Sequence, residues 1–145
     1  MTVPTFEAFT ASDPTARFTD WLREASEPAW SETVDHRFVR EMGSGTIDDE
    51  VFRRYLVQDY AFVGRLAGLV GHAIGDAPSM AQKRRFGTFL STLTNEENDY
   101  FERAFDALSV SESDRTDPRT HPVTDALDDL LVRATHEGDY EETLA

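Results

Sequence analysis

Apolar positions in this chain recur at intervals of three and four and almost nowhere alternate, which predicts an all-α protein. Phe18, Trp21, Leu22 and Ala25 define a first helix, announced by the cap-and-proline string SDP at residues 12–14. Trp30, Val34, Phe38 and Met42 define a second, opened by SEP at 26–28 and broken by GSG at 43–45. A third begins at TIDDE (46–50), whose acids suit the positive end of a helix dipole, and runs to about Gly75, where GDAPS stops it. A long fourth helix carries Phe86, Phe89, Leu90, Leu93, Tyr100, Phe101, Ala104, Phe105 and Leu108 on one side. A polar loop covers residues 109–122, and a fifth helix holds Val123, Ala126, Leu127, Leu130, Leu131 and Ala134. Gly138 ends it, and Tyr140 and Leu144 start a pattern that stops with the chain. The expectation is one helical domain over residues 1–145, of about five helices plus the start of a sixth, truncated at its C-terminal end.

Two of these stripes contain a carboxylate. In the third helix Asp59 lies within about 60° of Phe52, Tyr55, Leu56, Phe62, Val63 and Leu66. In the fourth, Glu97 lies within about 40° of Phe86, Leu90, Leu93, Phe101, Ala104 and Leu108. An ionised carboxylate in an apolar interior is costly unless it is paired, hydrogen-bonded, neutral or beside a wet cavity. One reading is a polar pocket with aromatic walls from Tyr55, Phe62, Tyr100 and Phe101; the other is a structural carboxylate holding an arginine or a tyrosine hydroxyl. The opposite side of the third helix is small, with Ala61, Gly64, Gly68, Gly71 and Gly75, which predicts close approach of another backbone and a helix buried on both sides.

Composition narrows the partners. The chain has 145 residues and a net charge of −14, which argues against a nucleic-acid partner. Lys83 is the only lysine among the 14 basic residues, and lysine depletion on an acidic chain points to a salt-adapted, halophilic protein whose dense acidic surface keeps it solvated. The N-terminus lacks a signal-peptide pattern, and no run reaches the roughly 18 apolar residues of a membrane span, so a soluble cytoplasmic protein is the expectation. The chain has no cysteine, which excludes disulfides, thiolate metal sites and a cysteine nucleophile within it. The residues three and four after Glu97 are Tyr100 and Phe101, so the Glu-x-x-His of di-iron bundles is missing. Of His36, His72, His121 and His136, only His36 is a conceivable haem ligand, and a lone histidine is more often packed or solvated. No cofactor and no metal are expected.

The string HRFVREMGSGTIDDEVFRRYLVQDYAFV (36–63) resembles the signature of the TenA/THI-4 family, which includes thiaminase II. That family has an H-P-F-x-x-x-[IL]-x-x-G-T-[IL] segment followed by F-x-x-Y-[IL]-x-Q-D-Y. The matching residues are His36, Phe38, Gly45, Thr46, Ile47, Phe52, Tyr55, Leu56, Gln58, Asp59 and Tyr60, with Arg37 where proline is usual. NEENDYFERAF (95–105) and residues 121–145 are similar to later parts of the family pattern. The resemblance implies a haem-oxygenase-like helical bundle that binds no haem and holds the aminopyrimidine half of thiamin, for hydrolytic salvage or thiamin cleavage. It gives Asp59 the pyrimidine amino and ring nitrogen groups. The family's next pocket tyrosine falls on Phe62, and a later one falls near Leu127. The usual cysteine nucleophile and late glutamate belong beyond Ala145, so the catalytic residues are unknown within this chain. The site residues expected to contact substrate are Asp59, Phe62, Tyr55, Glu97 and Tyr100. The alternatives are a non-catalytic ligand-binding or regulatory module, and an enzyme similar to the pyrroloquinoline-quinone-synthesis branch. A homo-oligomer is expected, because the sixth-helix stub and the apolar core need a covering surface.

Overall fold

A computed structural model describes residues 4–13 and 15–144, the side chain of Ser12 excepted. Among the described residues there is no strand. The chain forms two compact units, Met1–Ile47 and Asp48–Ala145.

The first unit holds α1 (Phe6–Ser12), α2 (Phe18–Ala25), α3 (Ala29–Val34) and α4 (Arg37–Ser44). The proline of the SDP signal, Pro14, lies outside the described residues. α1 was not expected; its Phe6 meets Phe18 edge-on at 5.2 Å and Trp21 at 6.1 Å, and the Trp21 indole N–H donates to the Pro4 carbonyl at 2.8 Å. The single second helix expected over Trp30–Met42 is two helices. The break falls at His36, whose backbone is extended and whose Nδ1 accepts the Phe38 N–H at 3.2 Å, a side-chain cap that starts a new helix. Arg37 occupies the first helical position, where proline is also at home, and its Nε reaches Glu41 at 2.6 Å. Gly45 ends α4 with φ +67°, and the Thr46 N–H donates to the Glu41 carbonyl at 2.9 Å while Gly45 N–H donates to Met42 at 3.2 Å. This paired closure needs a left-handed residue, which explains the glycine of the GT pair.

The second unit is built on α5 (Asp49–Asp76), a helix of 28 residues. Asp48 caps it, accepting the N–H groups of Glu50 and Val51 at 2.9 and 3.3 Å. At the other end the ammonium of Lys83 donates to the Ile74 and Gly75 carbonyls, each at 2.7 Å. The chain's one lysine thus satisfies carbonyls that the end of a helix leaves without partners. α6 (Met80–Thr92) and α9 (Pro122–His136) pack along α5, with lesser contacts from α7 (Asn98–Ala107), α8 (Glu112–Thr116) and α10 (Tyr140–Leu144). α8 lies within the segment expected to be a polar loop. Leu56, Phe101, Phe105 and Val110 form the buried core, flanked by Phe52, Val57, Tyr60 and Val63 from α5.

The expected long fourth helix is interrupted by a π-turn at Leu93–Glu97, between α6 and α7. One residue inserted into a helix turns everything after it by about 100°. Without that turn Leu93 and Phe105 would point about 120° apart; with it, both are buried, as is Phe101. The inward position that an unbroken helix assigns to Glu97 passes to Asn98, and Glu97 is exposed.

The small-residue face of α5 also departs from expectation. Gly64 and Gly68 border a gap of about 200 Å³ beside Leu131, Val132 and Thr135 of α9. A Cβ placed on Gly64, Gly68, Gly71 or Gly75 would meet nothing within 4 Å. The glycines therefore do not serve a tight backbone contact within this unit. Replacing Gly68 by alanine is expected to stabilise the fold by about 0.5–1 kcal/mol, through a less disordered unfolded state. Urea melts of the two proteins check this, and a destabilised alanine variant would show that something seats against this face.

Candidate functional site

The Q-D-Y block sends three successive side chains in three directions from α5. Gln58 points to the N-terminal end of α9: its Oε1 accepts the His121 N–H at 2.7 Å and the Thr124 hydroxyl at 2.9 Å, and its Nε2 donates to the Arg119 carbonyl at 3.2 Å. Tyr60 points to the core, where it lies 5.0 Å from Phe101 and edge-on to Phe105 at 5.3 Å. Its hydroxyl donates to Asn98 Oδ1 at 2.7 Å. Between them Asp59 emerges half-buried on the flank of α5 that faces the π-turn.

Gln58 fills its amide with three partners more than 60 residues away in sequence. Its replacement by leucine strands the amide hydrogen of His121 and the Arg119 carbonyl. A loss of about 0.5–1.5 kcal/mol is expected, since water reaches the exposed groups left behind, together with faster hydrogen exchange at the His121 amide; unchanged exchange there would contradict the role.

Asp59 accepts a hydrogen bond from the Tyr55 hydroxyl one turn earlier. Burial pushes its carboxyl above the ordinary value of 3.8, the Tyr55 bond pulls it back, and the negative charge of Glu97 raises it again. Tyr55 is likewise raised, first by burial, then by the Asp59 charge and hydrogen bond, with Tyr100 contributing last. These couplings bring Tyr55, Asp59, Glu97 and Tyr100 into one electrostatic neighbourhood, drawn from α5, the end of the π-turn and the first turn of α7. Tyr100 stands edge-on to Phe101 at 5.7 Å, and Phe62 is half-buried on the next turn of α5. Glu97 is exposed, which corrects the expectation that it sits in a core stripe; the π-turn moved it off that stripe and left it close enough to act on Asp59.

The group opens outward: Tyr55 is 39% and Tyr100 44% exposed. A half-buried carboxyl with a raised pKa, one phenol already donating to it and a second carboxylate nearby can accept two N–H donors from a planar cation or amidine-like edge. The neighbouring rings offer faces for a flat heterocycle. Asn98 is the inward residue of α7, although on an unbroken helix it would lie about 100° from Glu97 and off the stripe. The one sequence signal for it is that the buried positions Leu93, Phe101 and Phe105 fit a single stripe only if a residue is skipped between them.

Among the described residues no group of three or more His, Asp or Glu side chains is arranged to hold a metal ion. His72 and His136 stand edge-on with ring centroids 5.4 Å apart, and His36 uses its Nδ1 as a helix cap. No helix among the described residues is long and apolar enough to cross a membrane.

The profile of the TENA/THI-4/PQQC family matches residues 23–145. A protein of Bacillus subtilis (strain 168) named "Aminopyrimidine aminohydrolase" is 22% identical over 129 residues, covering 89% of this chain and 55% of its own length. A protein of Helicobacter pylori with the same name is 29% identical over 77 residues, covering 53% of this chain and 36% of its own length. The chain thus spans about half or less of the length of these relatives.

Proposed function

The chain belongs to the TENA/THI-4/PQQC family, and from that premise we propose that its Asp59 site binds an aminopyrimidine of the thiamin-salvage class. The observation that carries this reading is the state of Asp59: half-buried, raised by burial and by Glu97, and already accepting the Tyr55 hydroxyl. Such a carboxyl gains most from a ligand that brings an exocyclic amino group and a protonated ring nitrogen, because charge and both acceptor positions are satisfied at once. Tyr55, Tyr100 and Phe62 supply aromatic surface beside it. Two relatives named for aminopyrimidine hydrolysis support the same ligand class.

Binding, rather than turnover, is the activity proposed for these residues. Phe62 brings a ring but no hydroxyl to this group. The test is a thermal-shift and calorimetric titration with 4-amino-5-aminomethyl-2-methylpyrimidine and with thiamin, alongside an assay for ammonia release. Saturable binding supports the proposal; no thermal shift and no heat with either compound would remove it. Ammonia release would add catalysis to the reading. Self-association belongs to the proposal too, supported by the exposed Val123, Leu127 and Leu130 on α9. Light scattering that reads a monomer at every concentration would remove that part.

A further inference from the structure

A cavity of about 700 Å³ lies on another flank of α5, between that helix, α8 and the segment leading into α9. None of Tyr55, Asp59, Phe62, Glu97 or Tyr100 lines it. Its walls carry Arg53, Arg54, Arg119 and His121 over an apolar patch of Val57 and Pro122. Three of the 14 basic residues of a chain with net charge −14 converge here. We infer that this cavity is a binding site for a phosphoryl group, carried by a small phosphomonoester or present as free phosphate.

The donors are uncommitted to a useful degree. The Arg119 guanidinium has no hydrogen bond or ion pair among the described residues; only its backbone carbonyl is engaged, by Gln58. Arg54 uses its Nε on Glu50, donating to the backbone carbonyl at 3.4 Å and lying 3.9 Å from the carboxylate, while its side chain is 70% exposed and its two terminal nitrogens have no hydrogen bond among the described residues. Arg53 is tied to Glu50 at 2.5 Å and so frames the wall rather than reaching in. His121 spends Nδ1 as acceptor for the Val123 N–H at 3.2 Å, so the neutral ring carries its proton on Nε2 and adds a donor. The lining also carries two carboxylates, each turned to a neighbouring hydroxyl: Asp114 accepts from Ser111 at 2.8 Å and Asp125 accepts from Thr120, and Asp114 also acts by its charge on Arg53. Guanidinium forks and a ring N–H match the tetrahedral oxygens of a phosphoryl group, and Val57 with Pro122 gives an organic substituent a dry wall.

The inference is tested by phosphorus NMR and calorimetric titration of the native chain with inorganic phosphate and with phenyl phosphate, in a buffer whose salt preserves the helical circular dichroism. Saturable binding is expected, and Arg54→Gln with Arg119→Gln should weaken it by about tenfold or more. Arg103→Gln, an exposed arginine of α7 away from the cavity, should leave affinity within about twofold, since screened charges at a distance contribute little. Tighter binding of phenyl phosphate assigns the cavity to phosphomonoesters, and equal binding assigns it to free phosphate. No saturable binding of either probe, or equal affinity in the native and doubly substituted proteins, overturns the inference. Asp59→Asn should bind phosphate as the native chain does, which separates this site from the pyrimidine site.

Discussion

Phe105→Ala is expected to cost about 3–5 kcal/mol of folding stability. Phe105 is 0% exposed and lies at the centre of the core of the second unit. Its ring contacts Tyr60 edge-on at 5.3 Å and Phe101 at 5.9 Å, and the Arg115 guanidinium stands 5.6 Å from its centroid. Arg115 is held independently by the Val110 carbonyl at 3.1 Å, by Asp106 at 2.9 Å and by Glu102 at 3.3 Å, so it cannot easily swing in to fill the space left behind. A large cavity with a fixed lid is the expensive outcome of a truncation. Domains of this size are stable by about 5–15 kcal/mol, so the loss takes a large share of the total. Denaturant melts followed by circular dichroism measure it. A cost below about 1 kcal/mol would mean that the core closes over the gap.

Asp59→Asn is expected to abolish binding of aminopyrimidines while leaving the fold as stable as the native protein or more so near neutral pH. Asparagine can still accept the Tyr55 hydroxyl, but it offers one acceptor oxygen, one NH₂ donor and no charge, so the amidine-like edge loses its match. The stability side follows from linkage. A carboxyl raised above its ordinary 3.8 holds its proton more tightly in the folded state than in the unfolded state. Its contribution favours folding at acid pH and is lost as pH rises from the unfolded value through the raised folded value. Asparagine has no such proton, so the variant gains on the native protein across that window and keeps the gain above it. Melting curves over the acid range and at neutrality, with binding titrations in parallel, read both effects. A variant that loses stability at neutral pH together with binding would make Asp59 a structural carboxylate.

The helical spacing of Phe52, Leu56 and Val63 was enough to put Asp59 on an unusual flank of α5, and the ligand class proposed for that position rests on the Q-D-Y match. The functions of its two neighbours were not legible. Gln58 is explained by Arg119, His121 and Thr124, partners that only the return of the chain brings near. Tyr60 is explained by Asn98, whose inward placement depends on a π-turn. An unbroken α-helix at 100° per residue would set Glu97 in the core and Asn98 aside, and the π-turn exchanges the two. The break at His36 was hidden for a related reason: Trp30, Val34, Phe38 and Met42 keep one period through a side-chain cap that periodicity does not register. The glycines of α5 were legible as a small-residue face, but what lies opposite them is a matter of packing distance, and α9 leaves a gap.

The most direct test observes Asp59 itself. Carbon NMR of protein labelled at the aspartate side-chain carboxyl, with the resonance assigned by its loss in Asp59→Asn, follows its titration with and without aminomethylpyrimidine. A midpoint above the ordinary carboxylate value is expected in the free protein, with a shift to lower pH when the cationic pyrimidine is added, because a positive partner favours the ionised form. A midpoint at the ordinary value that the pyrimidine leaves unmoved would contradict the role proposed for Asp59.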